Sequence, residues 1–193
     1  ALADAIGARC CVNISGSRGK NWAGPDPLNL TRETFELIVR TMRQIIDAVK
    51  PKRTYYTLET MQWMYPDSAD NYVELMKAID RRRFAVHFDP VNLISSPQRY
   101  FNNAELIREC ISKLGPHIRS CHGKDVMLSE EVLVHIREVR PGLGRLDYRT
   151  LLTELDTLDP DTPLMLEHLQ TDEEYAMAAD YVRRMAKEIG VKL

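Results

Sequence analysis

The sequence lacks the features that mark membrane, secreted and nucleic-acid-binding proteins. No apolar run approaches the roughly 20 residues of a membrane-spanning helix, and the first residues do not have the basic and then apolar layout of a signal peptide. The 193 residues carry a formal net charge of only -2 with both signs interspersed, so no basic surface is indicated. We therefore expect a cytoplasmic protein that binds neither nucleic acid nor a membrane.

Cysteine and glycine motifs are scarce as well. The four cysteines, Cys10, Cys11, Cys110 and Cys121, show no CxxC spacing, and we interpret them as core thiols rather than disulfides or zinc ligands. The glycine-containing loop at residues 16–22 lacks the GxxxxGK[ST] spacing of a phosphate-binding loop, and no GxGxxG follows a strand. Nucleotide binding is therefore not indicated.

Strand-like and helix-like segments alternate along the chain. Short apolar runs near residues 10–14, 55–59, 86–89, 118–122 and 163–167 are separated by amphipathic helical patterns. Residues 126–141 are less regular, with a short helix expected near 130–134, and are a candidate active-site loop or lid. The alternation predicts a single domain, residues 1–193, of α/β class with a parallel sheet.

Four of these strands end in a side chain that can bind a metal ion. Glu59, Asp89, His122 and Glu167 each close a separate strand. Because the carboxyl ends of parallel strands meet at one edge of a sheet, these side chains are expected to lie near a common ligand site. Oxygen and nitrogen donors of this kind suit a divalent ion. His87 shares a strand face with Asp89 and is expected to point the same way.

Five strand-helix units are too few to close an eight-stranded barrel, whose usual length is about 250 residues. The chain is therefore either an open sheet or the last five-eighths of a barrel. The first residues have the pattern of a helix that ends at Gly7, so we expect the true N-terminus to lie upstream.

The residues at the strand ends, and the sequence around them, resemble the xylose isomerase-like TIM-barrel superfamily. The similar segments include HxKD at residues 122–125, PGxGxxDY at residues 141–148 and the pair Glu167-His168. The resemblance is to the sugar phosphate isomerase/epimerase group, which includes ketose 3-epimerases, hydroxypyruvate isomerase and inosose dehydratase. It runs from about residue 5 to the C-terminus. It implies a TIM (β/α)8 barrel of which this chain covers about strands four to eight, with the N-terminal units missing.

The resemblance also implies a cofactor and a reaction. One divalent metal ion, Mn, Mg, Co or Zn, would be held by Glu59, Asp89, His122 and Glu167. Glu59 and Glu167, on opposite sides of a bound sugar, would act as acid and base in a proton transfer through a metal-bound enediolate. The expected activity is that of an isomerase or epimerase of a small sugar or sugar phosphate.

Further residues are expected to contact the substrate: Trp22, Trp63, His87, Asn92, Lys124 and Arg140. The alternatives are that the tryptophans pack beneath loops and that His87 is a core histidine. Lys124 is expected either to bind an enediolate, phosphate or carboxylate, or to form an ion pair near Asp125. Asn92 stands where ketose 3-epimerases carry a histidine. Glu138 stands where they carry an arginine, with Arg140 close but shifted, so the residues around the sugar differ from those of that group.

Other functions remain open at this point. The same fold and ion would suit a dehydratase of a cyclic polyol. An endonuclease of the abasic-site type needs three zinc ions and additional histidines, and Asn92 stands at the position of one of them. A non-catalytic binding remnant would show an exposed apolar sheet edge or be completed by a partner chain. A homodimer is also conceivable, with the loops near Trp22 and Trp63 as candidate contacts.

Overall fold

The computed structural model describes residues 1–193, which fall into two compact units. Unit 1 comprises residues 1–88 and 116–120, and unit 2 comprises residues 89–115 and 121–193. In chain order the elements are α1 (Leu2–Ile6), β1 (Cys10–Asn13), α2 (Arg32–Val49), β2 (Tyr55–Glu59), α3 (Ala69–Ile79), β3 (Phe84–Phe88), α4 (Pro97–Phe101), α5 (Asn103–Leu114), β4 (Ile118–Gly123), β5 (Asp125–Leu128), β6 (Ile136–Val139), α6 (Tyr148–Leu155), β7 (Leu164–Leu166) and α7 (Asp172–Ile189). None of the helices combines the length and the apolarity that crossing a membrane requires.

Unit 1 is built on three parallel strands with helices between them. β1 pairs in parallel with β2, and β2 pairs in parallel with β3, so the three strands run in the same direction. The sequence pattern predicts helix starts at Thr31 and near Asp67 or Ser68, and both starts are confirmed: Thr31 accepts the backbone N–H of Thr34 and Ser68 accepts that of Asn71. β3 is buried along its whole length, as expected for a strand covered on both faces.

Tyr72 fastens α3 to the strands of unit 1. Its ring is fully buried, and its hydroxyl donates to the carbonyl oxygens of Leu58, at 2.5 Å, and Ala85, at 2.9 Å. The same hydroxyl accepts the backbone N–H of Leu58 at 3.2 Å. Burial raises the pKa of Tyr72, so the phenol stays neutral and keeps its donor. This contact holds β2 in place up to its last residue, Glu59.

Unit 2 contains a parallel strand pair and a hairpin. The last three residues of β4 pair in parallel with β7, and β5 pairs antiparallel with β6. The expected helix at residues 130–134 is wrong. That segment is the hairpin tip, closed by the backbone N–H of Ser129 donating to the carbonyl of His135, and its apolar residues Val132, Leu133 and Val134 are exposed. A short amphipathic helix is stabilised when its apolar face packs against other apolar residues, and these three residues do not pack in this way.

The sequence pattern predicts that α5 begins at Asn102 or Asn103 and stops at Gly115, and α5 has these bounds. It is preceded by the short helix α4, and Asn102 makes no side-chain capping bond. Asn103 donates to the carbonyls of Tyr100 and Arg145 and accepts the backbone N–H of Asp147. The φ of Gly115 is -42°, and the chain continues there into a 3-10 turn.

The last helix, α7, begins with a capping box. Thr171 accepts the backbone N–H of Glu174, while the Glu174 carboxylate accepts the backbone N–H of Gln170. The helical spacing predicts a buried face of Tyr175, Ala178, Val182 and Met185. Ala178 and Val182 are buried as predicted, together with Ala186, whereas the prediction is wrong for Tyr175, which is 38% exposed.

All four cysteines are free thiols. Cys110 and Cys121 are buried, as predicted for core thiols. The prediction is wrong for Cys11, which is exposed, while Cys10 is half-buried. The reason is the alternation of side chains along β1, which turns successive residues to opposite faces.

Candidate metal centre

Asp89, His122 and Glu167 converge in unit 2. Asp89 is fully buried, and its Oδ1 accepts the backbone N–H groups of Val91 at 3.0 Å and Asn92 at 3.2 Å. This fixes the carboxylate and leaves Oδ2 at 3.5 Å from His122 Nδ1. The same nitrogen lies 2.5 Å from Glu167 Oε2. One ligand atom from each of the three side chains therefore lies within 4.8 Å of the others.

Lys124 balances the charge of this cluster. Its ammonium lies 2.8 Å from Asp89 Oδ2 and 3.1 Å from Glu167 Oε2, and the side chain is only 2% exposed. A buried ammonium group has lost its hydration, and a nearby negative charge is needed to compensate for that loss. Of the two expectations for Lys124, the structure shows an ion pair, but with Asp89 and Glu167 rather than around Asp125.

The electrostatics of the cluster keep Glu167 ionised. Burial alone raises the pKa of its carboxyl group, but the hydrogen bond from His122 and the positive charge of Lys124 outweigh burial. Together they bring the pKa of Glu167 down to about 2 from an ordinary value of 4.5. Glu167 is therefore a carboxylate at neutral pH, which is the form that binds metal ions.

The sequence analysis missed His168 as a member of this cluster. Its Nε2 lies 2.9 Å from Glu167 Oε1, and its Nδ1 lies 3.1 Å from Glu138 Oε2. Glu138, on β6, also approaches the Lys124 ammonium at 3.8 Å. The available signal was the position of a histidine directly after a strand-end glutamate, but nothing in the sequence indicates where its ring points.

The HxKD and PGxGxxDY segments form one local structure around the Asp125 carboxylate. Oδ1 accepts the backbone N–H groups of Val126 and Leu146 at 2.8 and 2.9 Å. Oδ2 accepts those of Gly142 and Gly144 at 2.9 and 3.0 Å. A Cβ at Gly144 would lie 2.3 Å from Asp125 Oδ1, so only glycine fits there. Asp125 is therefore a structural residue that shapes the loop beside the cluster.

This loop also anchors Lys124. Tyr148, the last residue of the PGxGxxDY segment, donates its hydroxyl hydrogen bond to the Lys124 carbonyl at 2.8 Å. Asp147 caps α6 by accepting the backbone N–H of Thr150, which fixes the start of the helix that carries Tyr148. The two sequence segments thus cooperate to place the ammonium between the carboxylates.

Two predicted site residues lie in unit 1. Glu59 is the last residue of β2 and is 8% exposed. His87, on β3, is fully buried, and its Nδ1 lies 2.6 Å from the Ser120 hydroxyl. Glu59 thus occupies the carboxyl end of a parallel strand as the sequence predicts, and the role of both residues stays a prediction.

The remaining predicted substrate residues lie in loops. In unit 1, Trp22 is 71% exposed, while Trp63 is half-buried and its indole N–H donates to the Ala23 carbonyl at 2.8 Å. In unit 2, Asn92 donates its backbone N–H to Asp89. Arg140 lines an open cleft together with basic residues of α7, among them Arg183, Arg184 and Lys187.

The donor set of unit 2 fits a divalent cation. Two carboxylates and an imidazole are ligands shared by Mn, Mg, Co and Zn sites, and Glu167 is already in the ionised form that binding needs. Asp89 is oriented by two backbone N–H groups, and Glu167 Oε1 lies 2.9 Å from His168 Nε2. Oriented ligands of this kind are typical of metal sites, whose surroundings fix the ligand side chains.

The sequence profile of the family described as "xylose isomerase-like TIM barrel" matches residues 1–185. The chain belongs to this family. The family of the predicted resemblance is therefore confirmed, and the fold is the α/β xylose isomerase-like TIM-barrel fold.

Solved structures agree with this assignment. A xylose isomerase-like TIM-barrel protein from Mycobacterium smegmatis in complex with magnesium superposes with a TM-score of 0.69 at 16% identity, over 97% of this chain and 63% of its own. The probable 3-DHS dehydratase AsbF from Bacillus anthracis gives 0.70 at 16% identity, over 96% and 66%. A D-tagatose 3-epimerase-like protein gives 0.71 at 15% identity, over 97% and 66%. The chain thus spans 63% to 66% of the length of these proteins, and at such identities the likeness shows the fold alone.

Proposed function

We propose that the protein is a divalent-metal-dependent isomerase or epimerase of a small sugar. Glu59, Asp89, His122 and Glu167 are the proposed ligands, with Glu59 and Glu167 as acid and base. The observation that carries the proposal is the convergence of Asp89, His122 and an ionised Glu167 in a member of this family. Glu59 as the fourth ligand rests on the sequence and its strand-end position. The assignment of this chain to strands four to eight of the barrel belongs to the same proposal.

The named structural neighbours support this class of reaction. They include a D-tagatose 3-epimerase-like protein, an L-ribulose 3-epimerase and a D-psicose 3-epimerase solved with D-tagatose. Epimerisation at the third carbon of a ketose requires a proton to leave and return at a carbon beside the carbonyl group, which is chemistry that two carboxylates can perform. The magnesium complex of another neighbour supports the choice of a divalent ion.

The protein residues divide the work. A bound divalent cation supplies Lewis-acid polarisation of the substrate carbonyl, which lowers the pKa of the adjacent C–H. One glutamate would then accept that proton on a carboxylate oxygen, and a glutamate would return a proton to the same carbon from the other face, giving an epimer. Return to the former carbonyl carbon, with the hydroxyl proton of the first carbon passing to the former carbonyl oxygen, would give an isomer. Lys124 offsets the charge of Asp89 and Glu167 while this occurs.

A dehydratase of a cyclic polyol is the second candidate. One structural neighbour at a TM-score of 0.70 is a probable 3-DHS dehydratase. Removal of a proton beside a carbonyl, followed by loss of hydroxide from the next carbon, needs the same base and the same ion. An isomerase or epimerase keeps all oxygen atoms of the substrate, whereas a dehydratase removes one hydroxyl oxygen as water.

Solvent isotope exchange tests the proposal without knowledge of the product. The protein with Mn²⁺ is incubated in D₂O with a panel of ketopentoses, ketohexoses and cyclic ketopolyols, and deuterium at the carbon beside the carbonyl is followed by NMR. We expect incorporation into at least one ketose, and a loss of more than about 100-fold for Glu59→Gln and Glu167→Gln. Glu131→Gln, on the exposed hairpin, is the matched control and should leave the rate unchanged. Formation of an enone from a cyclic ketopolyol would instead support the dehydratase, and absence of exchange with all substrates would refute both.

A further inference from the structure

His168 holds two glutamate side chains at once. Its Nε2 lies 2.9 Å from Glu167 Oε1 and its Nδ1 lies 3.1 Å from Glu138 Oε2, so the imidazole ring spans the two carboxylates. On its other side, Glu167 Oε2 lies 2.5 Å from His122 Nδ1 and 3.1 Å from the Lys124 ammonium. The two oxygens of Glu167 therefore have separate sets of partners.

The backbone of His168 is what allows this arrangement. Its φ of 59° lies in the left-handed region, which residues other than glycine seldom adopt. The turn comes directly after β7 and brings the ring of residue 168 back against the side chain of residue 167. A strained conformation of this kind persists only when its surroundings over-determine it. Three contacts surround His168: the two carboxylates at its ring, and the side-chain amide of Gln170, which donates to the His168 carbonyl at 3.3 Å.

We propose that His168 and Glu138 act as positioning residues that aim Glu167 Oε2, and not Oε1, at the metal centre. This inference rests on the proposed function, since it assumes that Glu167 binds the ion. His168 occupies Oε1, so Glu167 is predicted to bind the ion through one oxygen. Glu138 fixes the far side of the imidazole ring and keeps its plane in place, as carboxylates that contact ligand-orienting groups commonly do.

Glu138 is held in position for this role. It lies on β6, whose residues Glu138 and Val139 are paired with Val126 and Asp125 of β5. β5 is itself fixed by the four backbone hydrogen bonds that the Asp125 carboxylate accepts. The contact between His168 and Glu138, called the bridge below, therefore involves a residue of the paired part of the hairpin and not one of its exposed tip.

The test compares Mn²⁺ binding in four proteins of full length: wild type, His168→Asn, Glu138→Gln and the double variant. Asparagine tolerates the left-handed conformation, so His168→Asn removes the ring without adding backbone strain. Free Mn²⁺ is quantified by electron paramagnetic resonance, and the thermal midpoint of the metal-free protein is recorded for each variant. His135→Asn is the matched control, because His135 also faces a glutamate, Glu131, at 3.5 Å but lies on the exposed hairpin.

We expect His168→Asn to weaken Mn²⁺ binding by about 10- to 100-fold, as removal of a ligand-orienting group does, with a metal-free thermal midpoint close to that of wild type. Glu138→Gln should weaken binding in the same direction, and the double variant should be no weaker than the weaker single variant, because both act through one bridge. Binding by His168→Asn within about twofold of wild type, or a lowered thermal midpoint without a change in affinity, would overturn the positioning role. Absence of Mn²⁺ binding by wild type would instead refute the proposed function and the bridge together.

Discussion

Replacement of Asp125 by asparagine tests whether this carboxylate organises the loop beside the metal centre. Asp125 is 1% exposed, and its two oxygens accept four backbone N–H groups, two at each oxygen. Asparagine keeps one oxygen and replaces the other by an amide NH₂ that cannot accept. If the amide takes the place of Oδ2, the part-buried N–H groups of Gly142 and Gly144 lose their acceptor while the shape of the side chain is preserved.

The expected loss follows from these two groups. A buried donor left without a partner costs about 1–3 kcal/mol, so two cost about 2–6 kcal/mol. Burial raises the pKa of Asp125 despite its hydrogen bonds, which means that burial of the charge already costs free energy that neutral asparagine does not pay. We therefore expect a loss at the lower end, about 2–3 kcal/mol in the free energy of unfolding.

Urea unfolding followed by circular dichroism measures this loss in the metal-free protein. Asp26→Asn is a suitable control, because Asp26 Oδ1 accepts only the backbone N–H of Leu28 in an exposed turn, and asparagine can accept it too. Hydrogen exchange at Gly142 and Gly144 gives a local reading and should become faster in Asp125→Asn. A change below about 0.5 kcal/mol with unaltered exchange would refute the reasoning.

Three further perturbations follow from the same contacts. Gly144→Ala places a Cβ 2.3 Å from Asp125 Oδ1 and should lower the free energy of unfolding by at least about 2 kcal/mol. Gly190→Ala meets no atom within 4 Å and should lower the free energy of unfolding by only about 1 kcal/mol, through backbone strain. Equal losses in the two variants would contradict this reasoning. Lys124→Met leaves the buried Asp89 carboxylate and the half-buried Glu167 carboxylate without their cation and should destabilise the metal-free protein by about 3 kcal/mol, with much of the loss recovered on Mn²⁺ addition. The folded pKa of Glu167, about 2, is below its ordinary 4.5, so the stability it contributes is present above pH 4.5 and lost as the pH falls toward 2; a carboxyl ¹³C titration of the metal-free protein with its midpoint near 4.5 would refute this.

The parallel strands and helix caps were predictable because their signals are local. Asp89 follows the buried run of β3 in the sequence itself, and a reader needs no distant contact to see a strand that ends in a carboxylate. Thr31 and Thr171 precede helices and accept backbone N–H groups three residues on, which is a property of the first helical turn. The placement of Asp147 as a cap follows the same rule.

The hairpin and His168 were not predictable for the opposite reason. β5 and β6 have four residues each, and their pairing depends on register and on the Asp125 contacts with a loop that lies up to 21 residues away. The apolar run at the hairpin tip imitates a short helix because burial cannot be read from the sequence. The His168 ring likewise contacts Glu138, which lies 30 residues earlier in the chain. Such features are decided by tertiary contacts rather than local preference.

Calorimetric titration of the metal-free protein with Mn²⁺, for wild type and for Glu167→Gln, tests the central claim most directly. We expect wild type to bind about one Mn²⁺ per chain and Glu167→Gln to bind it at least about 10-fold more weakly, because the variant replaces a charged ligand by a neutral amide. Equal thermal midpoints of the two metal-free proteins would show that the variant is folded. Absence of Mn²⁺ binding by wild type, or equal affinity in the two proteins, would contradict a metal centre built on Asp89, His122 and Glu167.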